Sequence, residues 1–183
     1  YPAIESIKNH CKIYQLKTSQ DYRLRNLEQE KIQLISGTKE TDEILSKHFN
    51  SLAQGEIKLA QTIEILGRNI NTKKLSEGVA WFHFNDICEG PRSSNDYIEI
   101  SKEFHTLLVS DIPLLTESKE NETRRFIALI DECYERKVNL IISSEKKIKE
   151  IYSGSKLLKP IERTLSRLEE MKSREFLSLP HLS

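Results

Sequence analysis

FHTLLVSDIPLLTESKENETRRFIALIDECYERKVNLIISSEKKIKEIYSG, residues 104–154, reads as strand, helix, strand, helix. Thr106–Ser110 and Val138–Ile142 are short, nearly continuous apolar runs, the pattern of strands buried on both faces of a parallel sheet. Parallel neighbours need a crossover of a dozen or more residues, and the helical pattern over Glu122–Arg136 supplies one. Its buried stripe is Phe126, Ile127, Leu129, Ile130, Cys133 and Tyr134. Asp111 follows the first strand, and the hydroxyls Ser143 and Ser144 follow the second. These are the strand ends where α/β sheets place their chemistry.

Outward from this unit the chain alternates between the two periods. Ile4–His10 reads as a helix tail, and Lys12–Leu16 as a strand. Asp21–Arg25 and Lys31–Ile35 alternate like a strand or hairpin. Thr41–Ala53 reads as a helix capped by Thr41. Residues 68–84 read as an antiparallel hairpin, Arg68–Leu75 against Val79–Phe84, turning at Ser76-Glu77-Gly78. NDICEGPRSSND, residues 85–96, reads as a loop broken at Gly90-Pro91, and Ser94 or Asn95 caps a helix over Asp96–Phe104. Glu145–Tyr152 reads as a short helix, and Pro160 opens a long final helix to about Leu177 with Ile161, Leu165, Leu168 and Met171 inward. The fold class is therefore α/β: a mixed sheet with a parallel β-α-β unit, an antiparallel hairpin and a long C-terminal helix.

Composition limits the function classes. Lys+Arg and Asp+Glu both number 28, so no global charge favours nucleic acid or an anionic membrane. Cys11, Cys88 and Cys133 are far apart and match neither a zinc spacing nor a disulfide framework. No apolar run reaches the roughly 18 residues of a membrane span, and no signal peptide pattern is present. The chain opens on Tyr1-Pro2 without Met, which gives the expectation of a piece of a longer protein.

The longest landmarks are DYRLR at 21–25, GR at 67–68, VAWFHFNDIC at 79–88, DYIEISKEFHTLLVSDIP at 96–113, RRFIALIDECYERKVNLIISSE at 124–145, IYSG at 151–154 and ERTLSRLEEMKSREFL at 162–177. In that order they resemble the C-terminal half of the AFG-type P-loop ATPase family nearly end to end. The acid and the hydroxyls at successive strand ends resemble the Walker B and sensor positions of such enzymes. The resemblance implies an AAA-type core that uses ATP and Mg²⁺ in the full-length protein. It implies action in the cytoplasm on a division-machinery or other protein partner, contact with the N-terminal half of the same protein, and compatibility with a homo-oligomer and peripheral membrane association. It implies that residues 1–78 end the AAA-type core and that residues 79–183 form a C-terminal α/β subdomain like a degenerate ATPase half-module.

A phosphate loop needs consecutive backbone N–H groups, a lysine and a hydroxyl for Mg²⁺. These residues contain no G-x-x-x-x-G-K-S/T, so the chain alone is expected to bind no cofactor and to hydrolyse nothing. The loop at 85–96 belongs either to a degenerate, nucleotide-free copy of an ATPase half-module or to an ordinary surface loop. Arg23 and Arg25 share one face of an alternating segment and are candidate phosphate contacts, or else arginines on an exposed strand face with Asp21 as partner. Asp111 is either a Mg²⁺-holding acid or a strand-end residue capping its loop. Arg163 and Arg167, four apart on one helix face, are candidate arginine fingers, or solvated cations partnered by Glu162 and Glu170. The histidines have no metal-ligand spacing, and Ser143 and Ser144 have no G-x-S-x-G elbow. Two functions stand: the C-terminal part of an ATPase, or a nucleotide-free interaction module.

Overall fold

A computed structural model describes residues 33–183. The readings at Ile4–His10, Lys12–Leu16 and Asp21–Arg25, with Arg23 and Arg25, lie outside these residues. The strands are β1 (Gln33–Ile35), β2 (Gln54–Leu59), β3 (Thr62–Ile65), β4 (Arg68–Asn71), β5 (Lys74–Glu77), β6 (Val79–His83), β7 (Thr106–Ile112) and β8 (Asn139–Ser144). The helices are α1 (Lys39–Leu52), α2 (Phe84–Cys88), α3 (Ser94–Glu103), α4 (Glu120–Glu135), α5 (Leu158–Glu170) and α6 (Arg174–Leu177). One sheet runs in the order β1-β8-β7-β6-β5-β2, and β3 pairs with β4 in a second. β1, β8, β7 and β6 are mutually parallel, while β5 and β2 complete the sheet antiparallel.

The parallel β7-α4-β8 unit is present as the apolar runs require, with β7 hydrogen-bonded beside β8. Side-chain alternation splits the two strands between two cores. Leu107, Val109, Leu140 and Ile142 face α4, whose Phe126, Leu129, Ile130 and Cys133 are all buried. Leu108 and Ile141 face the other way, with Trp81 and Val79, onto Leu45, Phe49 and Leu52 of α1. Three layers result, with helices on both faces of the sheet.

Four local readings are corrected. The stretch expected as one strand over 68–75 breaks at Thr72, whose N–H and hydroxyl both bond Gln61 O, at 2.7 and 2.9 Å. The break sends Ile65 and Ile70 into the core on the α4 side, while Lys73 and Lys74 sit over Trp81 on the α1 side. The hairpin is therefore only β5–β6, with its turn at Gly78. Residues 84–88, expected as a strand end at Phe84 and loop from 85, are helical, with Phe84, Ile87 and Cys88 fully buried and the His83 ring capping α2. Glu145–Tyr152 forms one 3₁₀ turn at Ile148–Glu150, since Leu115 exchanges backbone bonds with Ile151 and Ser153 and holds the segment extended. The long final helix is two helices. Ser173 Oγ accepts the Phe176 N–H and starts α6, which lays Phe176 against Tyr134 with ring centroids 5.5 Å apart. A fifth difference is the α1 cap, which is Thr38 rather than Thr41. Thr41 instead donates its hydroxyl to Ile35 O at 2.7 Å and ties α1 to β1.

Gly78 has φ +68°, and a Cβ there would lie 2.5 Å from the His105 ring. Gly78→Ala is expected to destabilise the chain by about 1–3 kcal/mol, from the positive φ and the displaced imidazole. The urea midpoint should fall with an unchanged m-value. An unmoved midpoint contradicts the close approach.

Candidate functional site

The four parallel strands end on one edge, and β7 bulges as it arrives there. Its register against β8 slips between Val109 and Ile112, and Asp111 takes φ +61°. The bulge turns the Asp111 N–H onto Ser143 Oγ at 3.0 Å and its carboxylate toward the end of β6, where Oδ2 lies 3.3 Å from His83 Nε2. His83 Nδ1 accepts the Asn85 N–H at 3.2 Å. That bond assigns the neutral ring its Nε2–H form, which donates to Asp111. Both ring nitrogens are then engaged, and His83 keeps no lone pair to act as a general base. Ser143 and Ser144 are buried and occupied, Ser144 donating to Lys146 O at 2.7 Å. The Ser110 hydroxyl is buried there without a partner.

The N-terminus of α3 is where the 85–96 loop would deliver a phosphate. It carries its own anion instead. Asp96 is fully buried, and its Oδ2 accepts from Ser93 N at 2.6 Å, Ser93 Oγ at 2.9 Å and Arg68 Nη1 at 2.5 Å. A helix N-terminus favours one negative group close to its free N–H donors. Here a side chain of the same helix fills that place, so a nucleotide phosphate does not fit. Ser93 and Asp96 form a capping box there.

Arg163 and Arg167 come together, and both reach α4 rather than the acids of their own helix. Arg163 Nη2 lies 2.7 Å from Asp131 Oδ2, and Arg167 binds Asp131 Oδ1 at 2.5 Å and Glu135 at 3.2 Å. Glu170, expected as a partner, accepts the Tyr134 hydroxyl at 2.8 Å. The two arginines differ in setting. Arg167 is 22% exposed and stacks on the Tyr134 ring at 4.8 Å, whereas Arg163 is 56% exposed with one carboxylate contact. Only Arg163 can leave its place without stripping an aromatic contact.

The structure thus joins Asp111 to His83 and Arg163 to Arg167, and it keeps the two pairs on separate elements. Sequence reading missed Arg68 and Asp96, although S-x-x-D at 93–96 carries the capping signal. It also missed the Tyr134 contacts, which arise only when α4 and α5 pack. Burial pushes the Cys88 and Cys133 thiols far above the ordinary range and leaves them unreactive. Among the described residues no three histidine, cysteine or carboxylate side chains gather to hold a metal ion.

An α/β core with parallel strands and helices on both faces is the setting in which P-loop-like ATPases are built. The chain belongs to the AFG1-like ATPase family, whose model matches residues 1–180. It is 41% identical over 182 residues to the cell division protein ZapE of Escherichia coli strain K12, covering all of this chain and 48% of that protein. It is 32% identical over 153 residues to the uncharacterized protein C115.02c of Schizosaccharomyces pombe, across 82% of this chain and 34% of that protein. It is 27% identical over 147 residues to lactation elevated protein 1 homolog B of Danio rerio, across 79% of this chain and 29% of that protein. The chain spans about half the length of the ZapE proteins it matches. No solved structure matches it.

Proposed function

We propose that this chain is the C-terminal part of an ATPase related to ZapE, which couples ATP hydrolysis to action on division or other partner proteins. The observation that carries this reading is the family match over residues 1–180 with 41% identity to ZapE along the whole chain. On this reading ATP and Mg²⁺ are held by residues outside 33–183, with Arg23 and Arg25 as phosphate contacts. Residues 1–78 end the AAA-type core, and residues 79–183 form the subdomain that transmits its state. The N-terminal half of the same protein, further copies and a division-machinery protein are its partners, in the cytoplasm or at a membrane surface. No helix among the described residues is long and apolar enough to cross a membrane. Asp111, bonded to His83, serves in this reading as a strand-end anchor rather than a Mg²⁺ ligand.

The test is phosphate release by the full-length protein against the 183-residue chain. Mg²⁺-dependent turnover by the full-length protein and none by the chain is the expected result. A full-length protein that binds its partners and releases no phosphate favours the second reading, a nucleotide-free interaction module. That reading draws support from Asp96 filling the α3 N-terminus and from Asp131 holding both arginines.

A further inference from the structure

We propose that β2 is a docking edge for an extended basic segment of a partner protein, taken up as an added strand beside an acidic cleft. β2 is the last strand of the main sheet, and all six of its residues are exposed. Its outer side has no neighbouring strand among the described residues. An exposed edge of this kind offers a row of backbone donors and acceptors that an extended peptide can pair with. The register against β5 slips between Gln54 and Lys58, with Gly55 at φ +71°, and the regular pairing resumes at Lys58 and Leu59.

The chemistry of the occupant follows from what flanks the strand. A cleft of about 480 Å³ runs between β2, the β5 strand and the end of α3. Leu75 and Phe104 line it, together with the carboxylates of Glu56, Glu77 and Glu103 and the single cation Lys58. Among the described residues none of the three carboxylates forms an ion pair. Partial burial holds the Glu103 carboxyl above its ordinary range, as expected of an acid with no cation beside it. Alternation places Glu56 and Lys58 on the cleft side of β2, and Ile57 and Leu59 on the other. Those two are exposed apolar side chains, at 37% and 63%. On the cleft side a strand added here meets Glu56 and Lys58, with Glu77 and Glu103 beyond them, three carboxylates against one cation; at the positions between it meets Ile57 and Leu59. The excess of carboxylates in the cleft selects a segment of net positive charge, with lysine or arginine on the cleft side and valine, isoleucine or leucine between.

The probe is a fluorescent eight-residue peptide alternating lysine and valine, titrated against the 183-residue chain by anisotropy. Saturable binding in the range of about 10–100 μM is expected, with none for the peptide carrying glutamate in place of lysine. The double variant Glu56→Gln with Glu103→Gln should bind about tenfold more weakly while melting at the same temperature. Two isomeric probes, N-methylated on alternate sets of residues, separate strand addition from charge attraction. One set blocks the pairing side and should abolish binding, while the other should bind nearly as well as the parent. Equal binding by both isomers, or no saturation below about 1 mM, overturns the proposal. So does sedimentation showing a dimer that Ile57→Lys dissociates and the peptide does not, since the edge then belongs to a second copy.

Discussion

On the proposed ATPase reading, with Arg163 as an arginine finger, Arg163→Ala in the full-length protein is expected to slow ATP turnover by about 10³-fold. That factor corresponds to about 4 kcal/mol of transition-state stabilisation. Of the two arginines of α5, Arg163 is the one that this reading sends across a subunit boundary. It is more than half exposed, and its ion pair among the described residues is with Asp131. Asp131 keeps Arg167 when Arg163 leaves, so neither state strands a carboxylate. For the same reason the folded chain should hardly notice the substitution, and a loss of stability of no more than about 1 kcal/mol is expected for an exposed pair. Arg167→Ala should behave in the opposite way, because it removes two ion pairs and the contact with Tyr134. Its effect should appear mainly in the melting temperature. Nucleotide affinity is measured separately for both variants. Unchanged turnover in Arg163→Ala, with normal folding, would put the interaction-module reading ahead.

Asp96→Ala carries the largest expected stability change. The carboxylate is fully buried and receives the Ser93 backbone N–H, the Ser93 hydroxyl and Arg68. Removing a helix cap costs about 0.5–2 kcal/mol, and breaking a buried pair about 3–5 kcal/mol. Arg68 is 42% exposed and regains water when freed, which discounts the second figure. A net loss of about 2–4 kcal/mol remains. For a chain of this size that lowers the melting temperature by about 4–16 °C. Asp96→Asn should lose less, since an amide oxygen still caps the helix while the charge is gone. A shift under about 2 °C for the alanine variant would mean that the α3 N-terminus does not depend on Asp96.

The β7-α4-β8 unit was legible because its signals agree at every level. Two apolar runs of strand length flank a helix whose stripe at Phe126, Leu129, Ile130 and Cys133 keeps one period. The region from Arg68 to Leu75 was not legible in the same way. Its two apolar residues, Ile70 and Leu75, are five apart and set no strand period, and the packing of Ile65 and Ile70 on one face and of Lys73 and Lys74 on the other divides it. The end of α5 failed for a local reason. The helical pattern continues past Met171, but Ser173 is a better cap than an interior residue and restarts the helix. For the candidate site, spacing placed Arg163 and Arg167 on one face correctly. It named the wrong acids, because Asp131 and Glu135 arrive from α4, far off in sequence. The Asp111–His83 pair was hidden likewise, since a one-residue bulge in β7 decides where the carboxylate points. Arg23 and Arg25 lie outside the described residues, and their roles rest on the resemblance alone.

The Asp96 carboxylate stands where a nucleotide phosphate would have to bind at α3, and the 183-residue chain should be blind to ATP on its own. Titration of the chain with a fluorescent ATP analogue in the presence of Mg²⁺ should give no saturable binding below about 1 mM, or about −4 kcal/mol. Saturation in the micromolar range would contradict this and would place a nucleotide site within the chain.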